Sequence, residues 1–477
     1  MPPSLDAVVV GSGPNGLAAA VELARNGASV LVLEAAATIG GGTRTAELTL
    51  PGFRHDVCST GHPLAILSPY LSKLPLAEHG LTWIQPPASV AHPLDGQPAV
   101  ILRKSIDATA AELRPDTAAY RRLLGPLVHH ADDLIAEILG PAHLPRHPLR
   151  LARFGMPGLL PATVLGRTWF RGERARALLA GCAAHSILPL TRPVSAAVGL
   201  LFLLAGHVET WPIAQGGSSA ITSALAGYLL SLGGQIETGK PVRALADLPA
   251  SRVVLFDTSP NQLATVAEPV LPHDYVRRLR RYRYGPGIFK IDWALDGPIP
   301  WADPACLDSA TVHLGGTLDE IASSEADVWR DRHPERPFML LVQSSLFDAG
   351  RAPAGKHTGW AYCHVPAGST VDRTDVLERQ VERFAPGFRD RILARHVMNT
   401  ADLEEYNANN VGGAITGGVT DLGQLFTRPV ARANPYSTPN PDVFICSAST
   451  PPGGGVHGMC GYHAARTALR RLAAPAV

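Results

Sequence analysis

Between Asp6 and Glu34 the hydrophobic pattern changes period twice. A continuous apolar run, AVVV, leads into a glycine-rich turn; Leu17, Ala20, Val21 and Ala24 then recur at helical spacing, and SVLVLE returns to a continuous run. Continuous runs of this length fit buried strands and the middle stretch fits an amphipathic helix, so a βαβ unit is predicted. Gly27 closes the helix.

Further along, from about residue 66 to 210, the pattern is helical, rich in Leu and Ala and punctuated by Pro, with no catalytic motif. It reads as a cap inserted into the first domain. After Gln215-Gly216-Gly217 a helix (SSAITSALAGYLLSLGG), a hairpin (QIETGKPVRAL) and an apolar strand (RVVLFDTSP) are expected to return to the first sheet. From 286 to about 430, strand patterns (GIFKIDWAL, FMLLVQSSLF, GWAYCHV) alternate with charged helices such as TDVLERQVERFA, predicting an antiparallel sheet. The chain closes with a strand (DVFICSAST), a glycine turn from Pro451 to Gly461 and a helix (YHAARTALRRLAA). The division expected is a discontinuous nucleotide domain, 1–65, 212–285 and 431–477, interleaved with a substrate-binding cap, 66–211 and 286–430.

The first turn, Gly11-Ser12-Gly13-Pro14-Asn15-Gly16, has the spacing that binds dinucleotides. Gly11 permits the tight turn, Gly13 lets backbone approach a pyrophosphate, and Gly16 lets the helix pack on the strand with its N-terminus facing the phosphates. Glu34, 18 residues beyond Gly16, is placed to accept from the adenosine ribose hydroxyls, and its charge disfavours a 2′-phosphate. The segment Gly40-Gly41-Gly42-Thr43-Arg44-Thr45 adds flexible backbone and a cation near the pyrophosphate, favouring FAD over NAD. Free N–H groups in the C-terminal turn are suited to the flavin N1 and C2 carbonyl region. The loop LPGFRHDVCSTGHPL carries His55, Asp56, Cys58 and His62, which either face a substrate or tie the loop together. Gly234–Lys240 and Gly350–Lys356 imitate a P-loop but continue into Pro241 and His357, where a magnesium-binding hydroxyl is required.

Composition narrows the picture. With 46% hydrophobic and 17% charged residues in 477, the chain is globular, and a net charge of +1 excludes the bulk positive field of a nucleic-acid-binding protein. Six scattered cysteines without a CxxC imply neither a metal site nor a redox disulfide, and favour a cytoplasmic setting. No secretory leader is expected from the N-terminal pattern. Val194–Val208 is apolar but short and carries two glycines and a histidine, so it reads as a buried helix, with a bilayer-dipping or tunnel-lining helix as the alternative. The run RRLRRYR, 277–283, holds five arginines and is a solvated face or a peripheral contact with anionic lipid.

The fingerprint GSGPNG with Glu34, GGGTRT, PGFRHDVCSTGHPL, GGQIETGKPV and PYSTPNPDVFICSASTPPGGGVHGMCGYHAA resemble the phytoene-desaturase-like FAD-dependent oxidoreductases. Within them the chain is most similar to the branch called pyridine nucleotide-disulfide oxidoreductase domain-containing protein 2 and its bacterial relatives. The resemblance spans the chain, with its specific motifs at the two ends. It implies an α/β fold with an α+β cap: a glutathione-reductase-like FAD/NAD(P)-binding Rossmann domain with an interleaved substrate domain of antiparallel sheet plus helices. It further implies non-covalent FAD, with Gly11, Ser12, Gly13, Pro14, Asn15, Gly16, Glu34 and Ala35 on the ADP half. Gly41, Gly42, Thr43 and Arg44 would lie near the pyrophosphate, Val242 against the adenine, and Gly458 and Met459 beside the isoalloxazine, with Thr258 and Gly455 as further contacts. Many relatives carry GGR, whereas Gly42 holds that arginine's position here and Arg44 follows two residues later. The redox CxxxxC that the branch's name evokes is absent.

The expected reaction is hydride removal from a carbon of an apolar, polyene or lipid-like small molecule, held roughly 3.5 Å from flavin N5, with dioxygen or a quinone as the final acceptor. Candidates for a proton role are His457 and the pair His62 and Cys58. Rival readings are a redox-neutral polyene isomerase, an amine oxidase, and a lipid-binding escort protein. The amine oxidase ranks lower because the C-terminal loop offers Tyr462 without an aromatic partner. Oligomeric state is left open.

Overall fold

A computed structural model describes residues 5–474. Five parallel strands form the first sheet, in the order Val443–Ile445, Ser251–Phe256, Leu5–Val10, Val30–Leu33, Gln235–Glu237. Its inner strands are apolar at successive positions because both faces are covered. Ala7 and Val9 pack into the core of helix Pro14–Arg25, whereas Val8 and Val10 pack against helices Pro260–Val266 and His273–Arg280. Strand order reverses between Val30–Leu33 and Ser251–Phe256 on either side of Leu5–Val10, which opens a crevice at their C-terminal ends. The C-terminal helix Met459–Ala473 crosses Pro14–Arg25 so closely that a Cβ on Gly461 would stand 1.8 Å from the Asn15 carbonyl oxygen.

The second sheet has seven strands: Ile392–Met398, Gly287–Leu295, His357–Val365, Met339–Val342, Ser309–Leu314, Ala88–Leu94, Gln97–Leu102. All neighbours are antiparallel except Ser309–Leu314 with Ala88–Leu94. Two expectations are corrected by this sheet and its neighbour. The segment 66–210 is not wholly helical, since its hairpin Ala88–Leu94/Gln97–Leu102 completes the seven strands. ASVAHPL hides its strand character because every residue is buried and no polar alternation remains. Likewise QIETGKPVRAL is no hairpin: only Gln235–Glu237 pairs, parallel to Val30–Leu33, and Pro241 lacks the N–H a return strand requires.

Helices between 106 and 208 roof the space between the sheets. In Ser195–Val208 one face, Gly199, Leu200, Leu203 and Leu204, is buried in the cap, while Ala197, Val198, Leu201 and Phe202 line a cavity. The buried-helix reading describes most of this helix, and its remaining face lines the cavity. No helix among the described residues is long and apolar enough to cross a membrane. In the arginine run, Arg277 pairs with Asp274 at 2.8 Å, Arg280 with Glu268 at 2.9 Å and Arg283 with Asp421 at 2.7 Å. Much of its charge is thus matched locally.

Candidate functional site

One cavity of about 1680 Å³ runs from the crevice of the first sheet into the space under the cap. That exceeds the few hundred to roughly 1,000 Å³ of a single small-ligand pocket.

Its first end is built by the Gly11–Gly16 turn. Gly11 has φ +103°, and a Cβ there would meet the Asp257 carbonyl oxygen at 2.9 Å; on Gly16 a Cβ would stand 2.2 Å from the Gly11 carbonyl oxygen. Both positions require glycine. Helix Pro14–Arg25 starts with proline, which has no N–H, and its N-cap Gly13 supplies no side-chain cap; Pro14 and Asn15 of this first turn line the cavity. Glu34, at the end of its strand, is held in place: Oε2 accepts from the Ser12 N–H (3.0 Å) and hydroxyl (2.6 Å), and Oε1 from the Ala36 N–H (2.9 Å). Arg44 donates to Glu34 at 3.2 Å and to the Thr38 carbonyl at 2.8 Å, and lies 5.4 Å from the Tyr406 ring centroid.

Ser12, Gly13, Pro14, Asn15, Ala35, Gly41, Gly42, Thr43, Val242, Thr258 and Gly455 line the cavity with Gly11, Glu34 and Arg44. Gly16 lies beneath the turn, and Gly458 and Met459 do not reach the cavity wall. A Cβ on Gly458 would meet Ala18 and Leu71 at 3.0 Å, so glycine there lets the last helix pack closely. Asn15 Oδ1 and Thr258 Oγ1 are buried on this wall without a protein partner, as groups awaiting a polar ligand are. Glycine cradle, helix N-terminus, oriented carboxylate and orphaned polar atoms together fit the ADP half of a dinucleotide.

Asp257 was invisible in the sequence. It follows strand Ser251–Phe256, and its Oδ2 accepts from the Gly16 N–H at 2.8 Å while lying 2.7 Å from where a Gly13 Cβ would be. Burial, opposed by the Gly16 N–H and reinforced by the Glu34 charge, pushes its carboxyl up to about 8.

The three candidates for proton transfer fare unequally. His457 lines the cavity, but its Nε2 lies 3.2 Å from the Gly453 carbonyl and its Nδ1 accepts from the Met459 N–H at 3.1 Å. Both nitrogens are engaged and burial pulls the ring down to about 4, so His457 orients the glycine loop. His62 lies off the cavity wall, its Nε2 2.8 Å from the Ser218 hydroxyl. Cys58 does face the cavity, with its thiol pushed up to about 11 by burial, so it is not a thiolate at neutral pH. His55 and Asp56 are buried, and Asp56 ties the loop to distant segments, accepting from Arg351 at 3.0 Å and the Ser218 N–H at 2.8 Å as well as from Thr60 at 2.7 Å.

The second end is apolar, walled by Leu151, Phe154, Val198, Leu201, Phe202 and Leu340, among others. Trp360 and Tyr362, two apart on one strand face, meet edge to face at 5.4 Å on its wall. An aromatic pair is therefore present, on strand His357–Val365 rather than the C-terminal loop; Tyr462 instead packs on Tyr70 at 4.7 Å. Behind Trp360 the wholly buried Lys290 pairs with Asp292 and lies 5.8 Å from the ring centroid. Among the described residues no cluster of His, Cys, Asp or Glu is arranged to hold a metal.

The fold is that of solved amine-oxidase-like structures, a Rossmann-like dinucleotide-binding sheet with an interleaved cap. Residues 9–70 match the NAD(P)-binding Rossmann-like domain family. The chain is 28% identical to pyridine nucleotide-disulfide oxidoreductase domain-containing protein 2 of Rattus norvegicus, over 98% of this chain and 94% of the rat protein. A shorter stretch is 36% identical to one polypeptide of the limonene dehydrogenase of Castellaniella defragrans, covering 23% of this chain and 18% of that polypeptide. Among solved structures, a redesigned putrescine oxidase superposes with a TM-score of 0.63 at 17% identity, over 98% of both chains.

Proposed function

We propose that the protein is an FAD-dependent dehydrogenase or desaturase acting on a carbon of an apolar small molecule. The observation that carries this reading is the single cavity joining a dinucleotide cradle to an apolar compartment. When bound, FAD would supply a two-electron acceptor that takes a hydride at N5 and is reoxidised by dioxygen or a quinone. In this reading the turn 11–16, Glu34, Arg44, Val242 and Thr258 hold the dinucleotide, and the cap helices hold the substrate and exclude water. Hydride removal is balanced by loss of a proton, from the adjacent carbon in a desaturation or from a hydroxyl in an alcohol oxidation; no side chain is assigned to that proton. The partial match to limonene dehydrogenase, whose named substrate is a hydrocarbon, agrees with an apolar compartment.

A second reading, amine oxidation, is favoured by the Trp360–Tyr362 pair. The visible spectrum of the purified protein, before and after denaturation, tests the cofactor: flavin bands and released FAD are expected. Anaerobic bleaching by apolar alcohols or polyenes, set against bleaching by primary amines, then separates the two reactions. A colourless protein that takes up no added FAD overturns both and favours a lipid-binding role.

A further inference from the structure

The cap helix Pro148–Gly158 carries apolar side chains on both of its faces. Its inward stripe, Leu151, Phe154, Gly155 and Gly158, recurs at helical spacing and lines the cavity. Its outward stripe, Leu149, Ala152, Arg153 and Met156, recurs at the same spacing and is exposed. A surface helix ordinarily turns a polar face to water. Here Leu149 is 82% and Met156 74% exposed, and the exposure continues through Leu144, at 93%, on one side and Leu159 and Leu160 on the other. Together with Val164 they put six exposed large hydrophobic side chains between 144 and 164. Single exposed side chains are ordinary, whereas such clustering marks an interaction surface.

The charges on this surface indicate what covers it. From Ala142 to Val164 there is no Asp or Glu, while Arg146, Arg150 and Arg153 lie among the exposed leucines. The neighbouring carboxylates are already engaged: Asp133 pairs with Arg150 and lies 3.6 Å from His147, and Glu137 takes His143 at 2.8 Å and the Arg146 N–H at 2.8 Å. The guanidinium groups of Arg146 and Arg153 have no carboxylate partner among the described residues. A second copy of the chain would set these cations against their own images, because a two-fold contact brings each patch onto itself. An anionic lipid surface satisfies both features, with leucine and methionine entering the acyl boundary and arginines reaching the headgroup phosphates. Eleven helical residues can lie on a bilayer but are too few to cross it. The cavity meets the surface at both ends of this helix, where Ala142, His143 and Leu159 are exposed and also line it.

We propose that helix Pro148–Gly158 and its flanking loops dock on the surface of an anionic bilayer, with Leu149 and Met156 among the lipids and Arg146 and Arg153 against headgroup phosphates. The mouth of the cavity then faces the lipid phase, in which an apolar substrate dissolves. That consequence rests on the reading of the cavity as an apolar substrate compartment; the docking itself does not. The docking surface is distinct from the arginine run 277–283, where Arg277, Arg280 and Arg283 are paired with carboxylates.

The test is co-sedimentation of the purified protein with vesicles of phosphatidylcholine containing about 30% phosphatidylglycerol, and with vesicles of phosphatidylcholine alone. Wild type is expected to pellet with the anionic vesicles, less so at high salt, and more weakly with the neutral ones. Leu149→Ser with Met156→Ser alters exposed side chains only and should weaken binding to both vesicles roughly tenfold or more. Arg146→Glu with Arg153→Glu should weaken binding to the anionic vesicles by at least about tenfold and change binding to the neutral ones by less than about twofold. In Met156→Trp, brominated acyl chains in the anionic vesicles should quench tryptophan emission beyond the quenching of wild type. Absence of wild-type pelleting, pelleting unaffected by both double variants, or no added quenching overturns the proposal. So does a wild-type dimer that Leu149→Ser with Met156→Ser dissociates, which assigns the face to a second copy. Flavin bands and their bleaching by apolar probes are read on the same samples: their absence with pelleting intact sinks the proposed function alone, and their presence without pelleting sinks the docking alone.

Discussion

The two ends of the cavity recognise by opposite means. At the dinucleotide end the ligand-facing atoms are mostly backbone, exposed because glycines remove side chains at the start of a helix; the oriented Glu34 is the main side-chain contribution. At the cap end the wall is side chain, drawn from helices and strands distant in sequence and mainly apolar, with Trp360 and Tyr362 among its polar-tipped members. Backbone recognition tolerates little change because a Cβ has nowhere to go. Side-chain recognition is more easily altered, since one wall residue can be exchanged without moving the chain.

Substitutions at either end put this contrast to the test. The largest effect is expected for Gly16→Ala, whose Cβ would lie 2.2 Å from a backbone oxygen; the variant should lose flavin and folded yield, read by the flavin absorption of the soluble fraction. Gly13→Val meets only the movable Asp257 carboxyl, at 2.7 Å, and should lose flavin while remaining folded.

Acid should be the next strongest perturbation, and it acts on both ends. His62 and His457 near the cradle and His92 and His207 in the cap are held down to about 4 by burial. Their folded values lie below the unfolded 6.5, so their contribution to stability is complete above pH 6.5. It is lost as pH falls toward 4, at up to about 1.4 kcal/mol per pH unit for each group. Far-UV circular dichroism should show unfolding complete before about pH 4; a native spectrum there would mean that these rings are solvated.

Asp257 should give the opposite slope at the dinucleotide end. Its folded value of about 8 lies above the unfolded 3.8, so its contribution is full below 3.8 and declines as pH rises toward 8. Asp257→Asn removes that decline, by up to about 1.4 kcal/mol per pH unit, and should raise the melting temperature relative to wild type more at about pH 8 than at about pH 5. Equal differences at both pH values would place the proton elsewhere.

A smaller effect is expected from Leu201→Trp, which fills the apolar end: FAD content should stay the same while apolar probes bind at least about tenfold more weakly. Loss of flavin in this variant would join the two ends that the structure keeps apart. The smallest effect belongs to the arginine run, where replacing Arg277 and Arg280 by Ala removes exposed ion pairs worth about 0–1 kcal/mol each in stability. Pelleting with anionic vesicles should not change; a salt-sensitive loss would restore that run as a lipid contact.

The βαβ unit, its glycine turn and Glu34 were legible in the first 34 residues because each interaction there spans a short separation and leaves a periodic trace. The same held for the closing strand, turn and helix. Asp257, the Trp360–Tyr362 pair and Lys290 left no such trace. Asp257 meets Gly16 across 241 residues, and His92 meets Gly316 across 224. Their proximity depends on which strands pair and in which register, and no local pattern encodes that. A dinucleotide cradle and an interleaved cap could be read without coordinates, since backbone geometry and hydrophobic period are local properties. What the cap presents to the cavity, and that both ring nitrogens of His457 are engaged in the glycine loop, came only from the folded chain. The reason is that burial and hydrogen-bond partners are properties of packed neighbours, not of neighbours along the chain.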